Sequence, residues 1–575
     1  MAEKSYYTQF RVDPLQPISA EQLLQHLLGP NEDLAPLKTL LIQRTEGNPF
    51  FAEESVRSLV ETGVLTGEKG AYRPALKIDE IHIPSTVQNV VADRIDRLPI
   101  EEKHLLQMAA VIGVRVPFEL LRMVSQLSDD QLYQSLAHLR SAEFLFETNL
   151  FPESYTFKHA LTTEVAYSAL LEERRTSLHA KILDALEQIE ANNLHDHVET
   201  LAHHALHGGL WDKAVPYLSQ SGAKALACCA FREAVSFLEQ GLEALEHAAD
   251  SKAKLEWAID LRLQLRNVLF LLGESKKLYQ YLGEAENLAQ QLGDELRIGR
   301  VLNFLCSYTG LVGDPDAAVS YGRRALALPI ISADPSIGAV AHYYLGAAYN
   351  KMGNYRDAID VLTRGLQGIS PELRHERFGT TLVISVVCRS HLVQCLAATG
   401  AFDRGIRYGE EGIQIANEVE HSVSRIYSNC SLGFLFLLRG EFERAIQLLD
   451  LSMKICQLEG VPVYIPFVAS RLGAAYVIGG RIADALPYLQ QGVGDSASVG
   501  RVAFLSLSMV WLSEGYLLSG RTIEAHDAAK KALELAQTHK ERGHEAGALK
   551  VLGDIAAHEN PGGHESEVFY QRALR

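Results

Sequence analysis

The chain has 575 residues, 47% of them hydrophobic, which is enough for several domains or for one long repeat array with a substantial core. Its formal net charge is −17, and it contains no long basic run. Non-specific binding of DNA or RNA needs clustered Lys and Arg to replace counterions, so we expect no nucleic-acid partner. We find no signal-peptide pattern and no uncharged apolar run that could span a membrane, so we expect a cytoplasmic protein without a membrane partner.

Residues 1–98 predict a small domain made mainly of helices. Gly47-Asn48-Pro49 interrupts the chain, and Pro49 can open the next helix because a missing N–H costs nothing at the first helical position. Ser85 and Thr86 can cap a later helix. The predicted elements, in chain order, are a strand within 6–12, helices at about 19–28, 34–44 and 49–61, a hairpin within 63–74 and a helix over 85–98.

Residues 99–190 predict a winged-helix-like domain. Three helical patterns, the first ending at Gly113 and the third beginning after Ser128, are followed by strand patterns in FLFET and SYTFKH. Three helices followed by a hairpin is the winged-helix order, and such folds often bind DNA through the third helix. Here that helix carries Asp129 and Asp130 and little basic charge, so a structural role is favoured over DNA binding.

From residue 191 to residue 575, a regular glycine spacing indicates a repeat. A leucine stands eight residues before each of these glycines, and a small or apolar residue stands five residues after it. The glycines are separated by 40, 40, 47, 40, 40 and 40 residues and are Gly273, Gly313, Gly353, Gly400, Gly440, Gly480 and Gly520. Examples of the complete frame are Leu345, Gly353 and Ala358, then Leu432, Gly440 and Ala445, then Leu472, Gly480 and Ala485.

The residue types of this frame predict stacked helix pairs. The leucine lies on an apolar helix face, glycine ends that helix in the left-handed conformation, and the small residue lets the second helix approach closely. Each pair leaves an apolar flank that only the next pair can cover. We therefore predict a mainly α protein whose residues 191–575 form a tetratricopeptide-like α-solenoid superhelix. Its last repeat is expected to stop at Arg575 without a polar capping helix, as a truncated array would.

Cysteine and histidine residues give weak indications of a metal site. The seven cysteines are odd in number and scattered, which favours buried, reduced thiols. His203 and His207 share a helix face at a spacing that metal ligands can use, near His195, His197 and His204. The stretch LAHHALHGGLWDKA also fits the repeat frame, so ordinary helix-surface histidines are favoured and we predict no metal.

Five stretches in the N-terminal third carry a resemblance to a known family. They are RTEGNPFFAEESVRSLVETGVL, GVLTGEKGAYRP, IPSTVQNVVADRIDRLP, AAVIGVRVPFELL and YTFKHALTTEVAYSALLEERRTSLHAKI. Together they resemble the C-terminal half of large bacterial signalling ATPases of the STAND class, relatives of AAA+ ATPases. In many members a class III adenylate/guanylate cyclase domain comes first, then the ATPase, then tetratricopeptide repeats.

The resemblance implies roles for three residues. In STAND ATPases a Gly-x-Pro element places a proline against the adenine, and Gly47 and Pro49 match that element. A histidine at the end of the winged-helix hairpin senses the nucleotide phosphates in the off state, and His159 occupies the similar place. The alternatives are that Pro49 is simply a helix-start proline and that His159 is a packed strand-end residue.

The chain departs from the family in its chemistry. It has no GxxxxGK[ST] phosphate loop, so we do not expect it to bind and hydrolyse ATP by that mechanism. The cyclase domain is missing too. We expect a non-enzymatic chain that begins after the catalytic core, as a split gene or a fragment would, and that meets ATP or ADP only if the missing core is supplied.

The sequence thus predicts a regulatory and binding arm of a signalling STAND ATPase that can be linked to a cyclase. Its partner would be a protein segment or small effector on the concave repeat face, with an ATPase or cyclase module acting in cis or in trans. A free-standing tetratricopeptide scaffold is the alternative. A transcription regulator that uses the winged helix on DNA is a third, less favoured one.

Overall fold

The computed structural model describes four ranges, residues 13–75, 83–148, 153–498 and 504–575. Over these ranges the chain is mainly α-helical, which confirms the predicted fold class. Its internal contacts divide it into two compact units, of which the first ends at Gln220 and the second is Ser221–Arg575. The strand predicted within 6–12 lies outside the described residues. No helix in these ranges is both long and apolar enough to cross a membrane.

The first unit combines helices with short strands. The helices are α1 (Pro17–Leu28), α2 (Ala35–Thr45), α3 (Pro49–Glu61), α4 (Val87–Asp96), α5 (Ile100–Ile112), α6 (Phe118–Ser125), α7 (Asp129–Ser141), α8 (Ala160–Ser168), α9 (Glu172–Ile189) and α10 (Val198–His207). The strands are β1 (Leu65–Thr66), β2 (Arg73–Pro74), β3 (Arg115–Pro117), β4 (Leu145–Thr148) and β5 (Ser154–Phe157). Helix α11 (Trp211–Ala227) contains the boundary between the units.

Helices α1, α2 and α3 pack on a shared core, and the turn before α3 is held by its own side chains. Asn48 caps α3 by accepting a hydrogen bond from the backbone N–H of Phe51 at 3.2 Å. Pro49 occupies the first helical position. The buried core of these helices includes Leu24, Leu28, Leu34, Leu37, Leu41, Ala52 and Val56.

Helices α5, α6 and α7 precede the hairpin of β4 and β5, in the predicted order. Strand β3, which was not predicted, pairs antiparallel with β5, so that the sheet order is β3-β5-β4. Tyr155 on β5 lies opposite Val116 on one side and Glu147 on the other. Strand β3 has three residues, too few for an alternating pattern to be recognised. The order of helices and strands is that expected for a winged helix.

The second unit is a succession of antiparallel helix pairs. After α12 (Phe231–His247), the helices are α13 (Lys252–Leu272), α14 (Ser275–Leu292), α15 (Glu295–Val312), α16 (Pro315–Leu326), α17 (Pro335–Lys351), α18 (Tyr355–Gln367), α19 (Ile384–Ala398), α20 (Phe402–Glu418), α21 (Ser422–Arg439), α22 (Phe442–Leu458), α23 (Ile465–Ile478), α24 (Ile482–Ser498), α25 (Leu505–Leu518), α26 (Thr522–Thr538), α27 (Arg542–Glu559) and α28 (His564–Leu574). This is a tetratricopeptide-like helical repeat array.

The frame residues lie at the turns and at the contacts between neighbouring helices of the array. All seven frame glycines have positive φ, between +75° and +87°, which non-glycine residues rarely adopt. The leucines eight residues earlier are buried in every repeat. The alanines five residues later are fully buried, and a larger side chain there would separate the helices; they are Ala318, Ala358, Ala445, Ala485 and Ala525.

Turns that lie far apart in sequence meet within the second unit. His539 Nδ1 lies 2.8 Å from the carbonyl oxygen of Gly313, and Lys540 forms an ion pair with Asp316. Both contacts join the turn between α26 and α27 to the region where α15 passes into α16. We call these two interactions the closing contacts.

Candidate functional site

A cavity of about 70 Å³ lies among the first helices of successive pairs in the second unit. We call it the inner chamber. Side chains on α13, α15, α17, α19 and α21 line it, together with residues just before α19, α23 and α25. The lining residues named below are Arg266, Tyr343, Tyr344, Ala347, Lys351, His391, Tyr427, Tyr464 and Phe504.

Aromatic side chains form much of the chamber wall. The rings of Tyr343 and Tyr344 have centroids 4.6 Å apart, and the ring of Tyr343 lies 5.7 Å from that of His391. Tyr427 meets Tyr464 edge to face at 5.7 Å. Burial raises the pKa of Tyr343 well above its ordinary value, so the phenol stays neutral. The wall is therefore an apolar surface that also offers hydroxyl groups.

Arg266 on α13 brings a buried cation to this wall. The residue is 2% exposed, and its guanidinium lies 4.3 Å from the ring centroid of Phe304. Its Nη2 donates to Ser307 Oγ at 3.0 Å, and its Nη1 donates to Asn267 Oδ1 at 3.1 Å. Its Nε has no hydrogen-bond partner among the described residues. Neutral acceptors satisfy part of this group but do not neutralise its charge.

Lys351, the last residue of α17, brings a second cation. Its Nζ donates to the carbonyl oxygen of Gly310 at 2.7 Å and lies 5.5 Å from the ring centroid of Phe504. Burial lowers the pKa of Lys351 to about 8, while Glu541 acts in the opposite direction. The side chain is therefore mostly protonated at neutral pH and loses its proton under mildly alkaline conditions.

Arg471 on α23 lies next to Phe504, with its guanidinium 5.3 Å from that ring centroid and 3.7 Å from the centroid of Phe467. It is 2% exposed and donates from Nη1 to the carbonyl oxygen of Phe467 at 3.1 Å.

Burial lowers the pKa of His391 to about 3, and Lys351 and Arg471 lower it further. The chamber imidazole is therefore neutral, and the positive charge resides on the longer side chains.

These chamber residues were not predicted from the sequence, although two of them carry a signal there. Arg471 is the only charged residue in α23, IPFVASRLGAAYVI, and Lys351 is the only Asp, Glu, Lys or Arg residue in α17. A lone cation in an otherwise apolar helix is unusual, because burying a charge costs free energy unless it is paired.

In the first unit, the residue that follows Pro49 contacts His159. Gly47, with φ +77°, accepts a backbone hydrogen bond from Leu15 at 2.8 Å. Pro49 is exposed at the start of α3. The next residue, Phe50, packs its ring on His159, with centroids 3.9 Å apart. The start of α3 and the residue before α8 are therefore neighbours, as a shared ligand would require.

His159 has one unused ring nitrogen. Its Nε2 is buried and has no hydrogen-bond partner among the described residues. Burial lowers the pKa of His159, and the nearby Lys158 lowers it further. A neutral imidazole can still donate or accept one hydrogen bond at that nitrogen. The nucleotide roles of Gly47, Pro49 and His159 stay predictions.

Four histidines meet elsewhere in the first unit. His179 Nδ1 lies 2.9 Å from His204 Nδ1, and the Tyr167 hydroxyl lies 3.1 Å from His179 Nε2. The rings of His203 and His207 are 4.2 Å apart. Burial lowers the pKa of both His179 and His204 to about 3. Within the described ranges, no group of three or more His, Cys, Asp or Glu side chains is placed to hold a metal ion.

Comparisons with known proteins concern mainly the fold. No protein-family model matches the chain. It is 28% identical over 212 residues to an uncharacterized protein of Rhizobium meliloti (strain 1021), a match that spans 36% of this chain and 20% of that protein.

Two solved structures match much of the chain at low sequence identity. A signal transduction ATPase with numerous domains (STAND) protein with a tetratricopeptide repeat sensor, from Pyrococcus horikoshii, matches with a TM-score of 0.51 and 13% identity, over 92% of this chain and 75% of that one. A Rap protein complexed with competence and sporulation factor matches with a TM-score of 0.49 and 15% identity, over 63% of this chain and 96% of that one. The likeness to the Pyrococcus protein shows a shared fold. The chain is thus a tetratricopeptide-like helical repeat protein.

Proposed function

We propose that this chain is a non-enzymatic regulatory arm that binds a partner or effector through its repeat array. The observation that carries the proposal is the inner chamber, where Arg266 and Lys351 stand in a tyrosine-rich cavity. Stacking of helix pairs needs apolar surfaces and gives no reason to keep cations there, since an unpaired buried charge is costly. A binding role for the inner chamber would explain why Arg266 and Lys351 are there.

The finer proposal is that the arm belongs to a signalling STAND ATPase, which can be linked to a cyclase. It is supported by the sequence resemblance of the N-terminal third and by the neighbouring positions of Phe50 and His159. A ligand that binds one state of the array better than another would shift the population of that state. The first unit would pass this shift to an ATPase core in cis or in trans, whose nucleotide would face Pro49 and His159.

A chamber-filling variant tests the binding role. Ala347 lines the inner chamber, whereas Ala398 is exposed at the end of α19, so Ala347→Leu and Ala398→Leu make a matched pair. Random peptides and common metabolites are screened by thermal unfolding of the full chain. We expect compounds that raise the Tm of the wild type and of Ala398→Leu and leave Ala347→Leu unchanged. If the compounds that raise the Tm of the wild type raise it equally in Ala347→Leu and Ala398→Leu, a binding role for the chamber is contradicted.

Nucleotide measurements test the link to an ATPase. The purified chain should turn over Mg-ATP no faster than a protein-free control. With a STAND ATPase core supplied in trans, His159→Ala should weaken retention of ADP by several-fold, because one hydrogen bond to the phosphates is lost. Unchanged retention favours the alternative, a free-standing tetratricopeptide scaffold. ATP turnover by the chain alone contradicts the non-enzymatic role.

A further inference from the structure

Two buried or half-buried cations line the inner chamber, a third lies beside its lining residue Phe504, and one carboxylate acts on Lys351. The cations are Arg266, Lys351 and Arg471, and none of them forms an ion pair among the described residues. The carboxylate is Glu541, which is 4% exposed. It accepts a hydrogen bond from the hydroxyl of Ser506, and His544 Nδ1 lies 3.1 Å from its Oε2. The chain as a whole carries −17, so this excess of positive charge is local.

Two of these cations also have unused donors. The Nε atoms of Arg266 and Arg471 are buried and lack a hydrogen-bond partner among the described residues, although both side chains are otherwise hydrogen-bonded. Lys351 has three N–H bonds and, in the part of the chain that the structure describes, one acceptor, the carbonyl oxygen of Gly310. A charged donor buried without an acceptor is unfavourable, and an anionic oxygen is the acceptor that relieves it best.

The size and lining of the chamber limit what can enter. A single water needs about 10–15 Å³ in the same measure, so a cavity of about 70 Å³ takes a few waters or one compact head group. Tyr343, Tyr344 and Phe504 supply apolar ring surface next to the cations. An anionic group with a short apolar stem uses both parts of the wall, whereas a neutral apolar molecule leaves the cations unpaired.

We propose that the inner chamber binds an oxyanion, a carboxylate or a phosphate, borne on a small apolar stem. This deepens the binding role proposed above and rests on it. Lys351 and Arg266 donate hydrogen bonds to the oxyanion. Arg471 adds positive potential from beside Phe504. His391 stays neutral and helps to shape the wall through its hydrogen bond with Asn350 at 3.1 Å.

Anion titrations of the full chain test this site. The probes are inorganic phosphate and benzoate, added at constant ionic strength with chloride as the reference salt, and the readout is Tm with the half-saturating concentration. The variant Lys351→Met keeps an unbranched side chain that is one atom shorter, and it removes the charge. Its control is Arg364→Met on α18, which loses one positive charge from a side chain that is 68% exposed.

We expect phosphate, benzoate or both to raise the Tm of the wild type and of Arg364→Met, with the half-saturating concentration at least tenfold higher in Lys351→Met. Stabilisation by phosphate alone points to a phosphorylated ligand, and stabilisation by benzoate alone points to an organic acid; each supports the site. Lys351→Met should itself fold, because replacing a buried charge by an apolar side chain is often neutral or stabilising.

Two results overturn the inference. One is the absence of any stabilisation of the wild type beyond that of chloride, which is expected if Lys351 simply gives up its proton. The other is equal stabilisation of Lys351→Met and Arg364→Met. Neither result removes the broader binding role, which stands if neutral compounds or peptides still distinguish Ala347→Leu from Ala398→Leu.

Discussion

Nδ1 of His539 lies 2.8 Å from the carbonyl oxygen of Gly313, although the two residues are 226 positions apart in the chain. Lys540, next to it, forms an ion pair with Asp316. These closing contacts hold the turn between α26 and α27 against the turn between α15 and α16. Because Phe504, just before α25, lines the inner chamber, the chamber is assembled from early and late repeats together.

Loss of a closing contact should loosen the late repeats. His539→Ala removes a hydrogen bond worth about 1 kcal/mol, which corresponds to roughly fivefold faster opening. We expect faster amide hydrogen exchange in α25 to α27, measured by mass spectrometry at neutral pH. Lys531→Ala is the control, since Lys531 on α26 pairs only with its near neighbour Glu534 among the described residues. Equal exchange in both variants would show that the contact does not hold these repeats.

Close helix packing predicts opposite effects for two glycine substitutions. A Cβ added to Gly346 on α17 would lie 2.4 Å from Cγ of Leu362 on α18, so the Leu362 side chain or the two helices would have to shift. Gly346→Ala should lower the free energy of unfolding by about 1–3 kcal/mol. At Gly283 on α14 a Cβ meets nothing within 4 Å, and Ala is the better helix former by about 1 kcal/mol.

Urea unfolding followed by circular dichroism measures both glycine variants. We expect Gly346→Ala to unfold at lower urea than the wild type and Gly283→Ala to unfold at equal or higher urea. The close approach within the pair is refuted if Gly346→Ala is as stable as the wild type.

Lys351 should make the stability of the second unit depend on pH in the alkaline range. Its pKa is lowered to about 8 in the folded chain and is about 10.4 in an unfolded one. Between these two pKa values the unfolded chain binds a proton that the folded chain has lost. The contribution of Lys351 to the free energy of unfolding therefore increases as pH rises from 8 to 10. Buried thiols and phenols act in the opposite direction, so the relevant quantity is the difference between the wild type and Lys351→Met.

The difference in Tm between Lys351→Met and the wild type, compared at each pH, should narrow as pH rises from 7.5 to 9.5, or reverse in favour of the wild type. Arg364→Met should run parallel to the wild type over the same interval. A constant difference between Lys351→Met and the wild type would mean that Lys351 keeps an ordinary pKa and is not desolvated.

The histidines of the first unit should make it sensitive to acid. The pKa values of His179 and His204 are lowered to about 3 by burial, with the neighbouring His203 and His207 acting in the same direction. Unfolded histidines titrate near 6.5, so below that pH the unfolded state binds more protons. Each of the two residues then lowers stability by up to about 1.4 kcal/mol per pH unit as the pH falls towards 3.

His179→Gln should reduce this loss between pH 6.5 and 4.5. His195→Gln is its control, since His195 is exposed in the short turn before α10. Urea unfolding, followed by hydrogen exchange of peptides from α9 and α10, gives the local stability at each pH. Equal slopes in the two variants would exclude the buried histidines as the cause of acid sensitivity.

Much of the helical architecture could be predicted from the sequence because its determinants are local. Gly353 ends α17 at positive φ, and Ala358 permits close approach within that pair. Leu345 lies against Gly322 on the preceding helix α16, so all three act between near neighbours in the chain. Strand β3 was missed because three residues carry too little pattern. The adjacency of Phe50 and His159 could not be derived from sequence either, since it joins elements about a hundred residues apart.

The sequence alone determined the helix pairs, their period and their stacking, because each follows from contacts between near neighbours in the chain. Only the tertiary structure decided that Arg266 and Lys351 line one cavity, that Arg471 lies beside its lining residue Phe504, and that His539 reaches Gly313. Small rotations between successive pairs add up along the array, and this sum, which no single repeat encodes, sets which distant side chains share an interior.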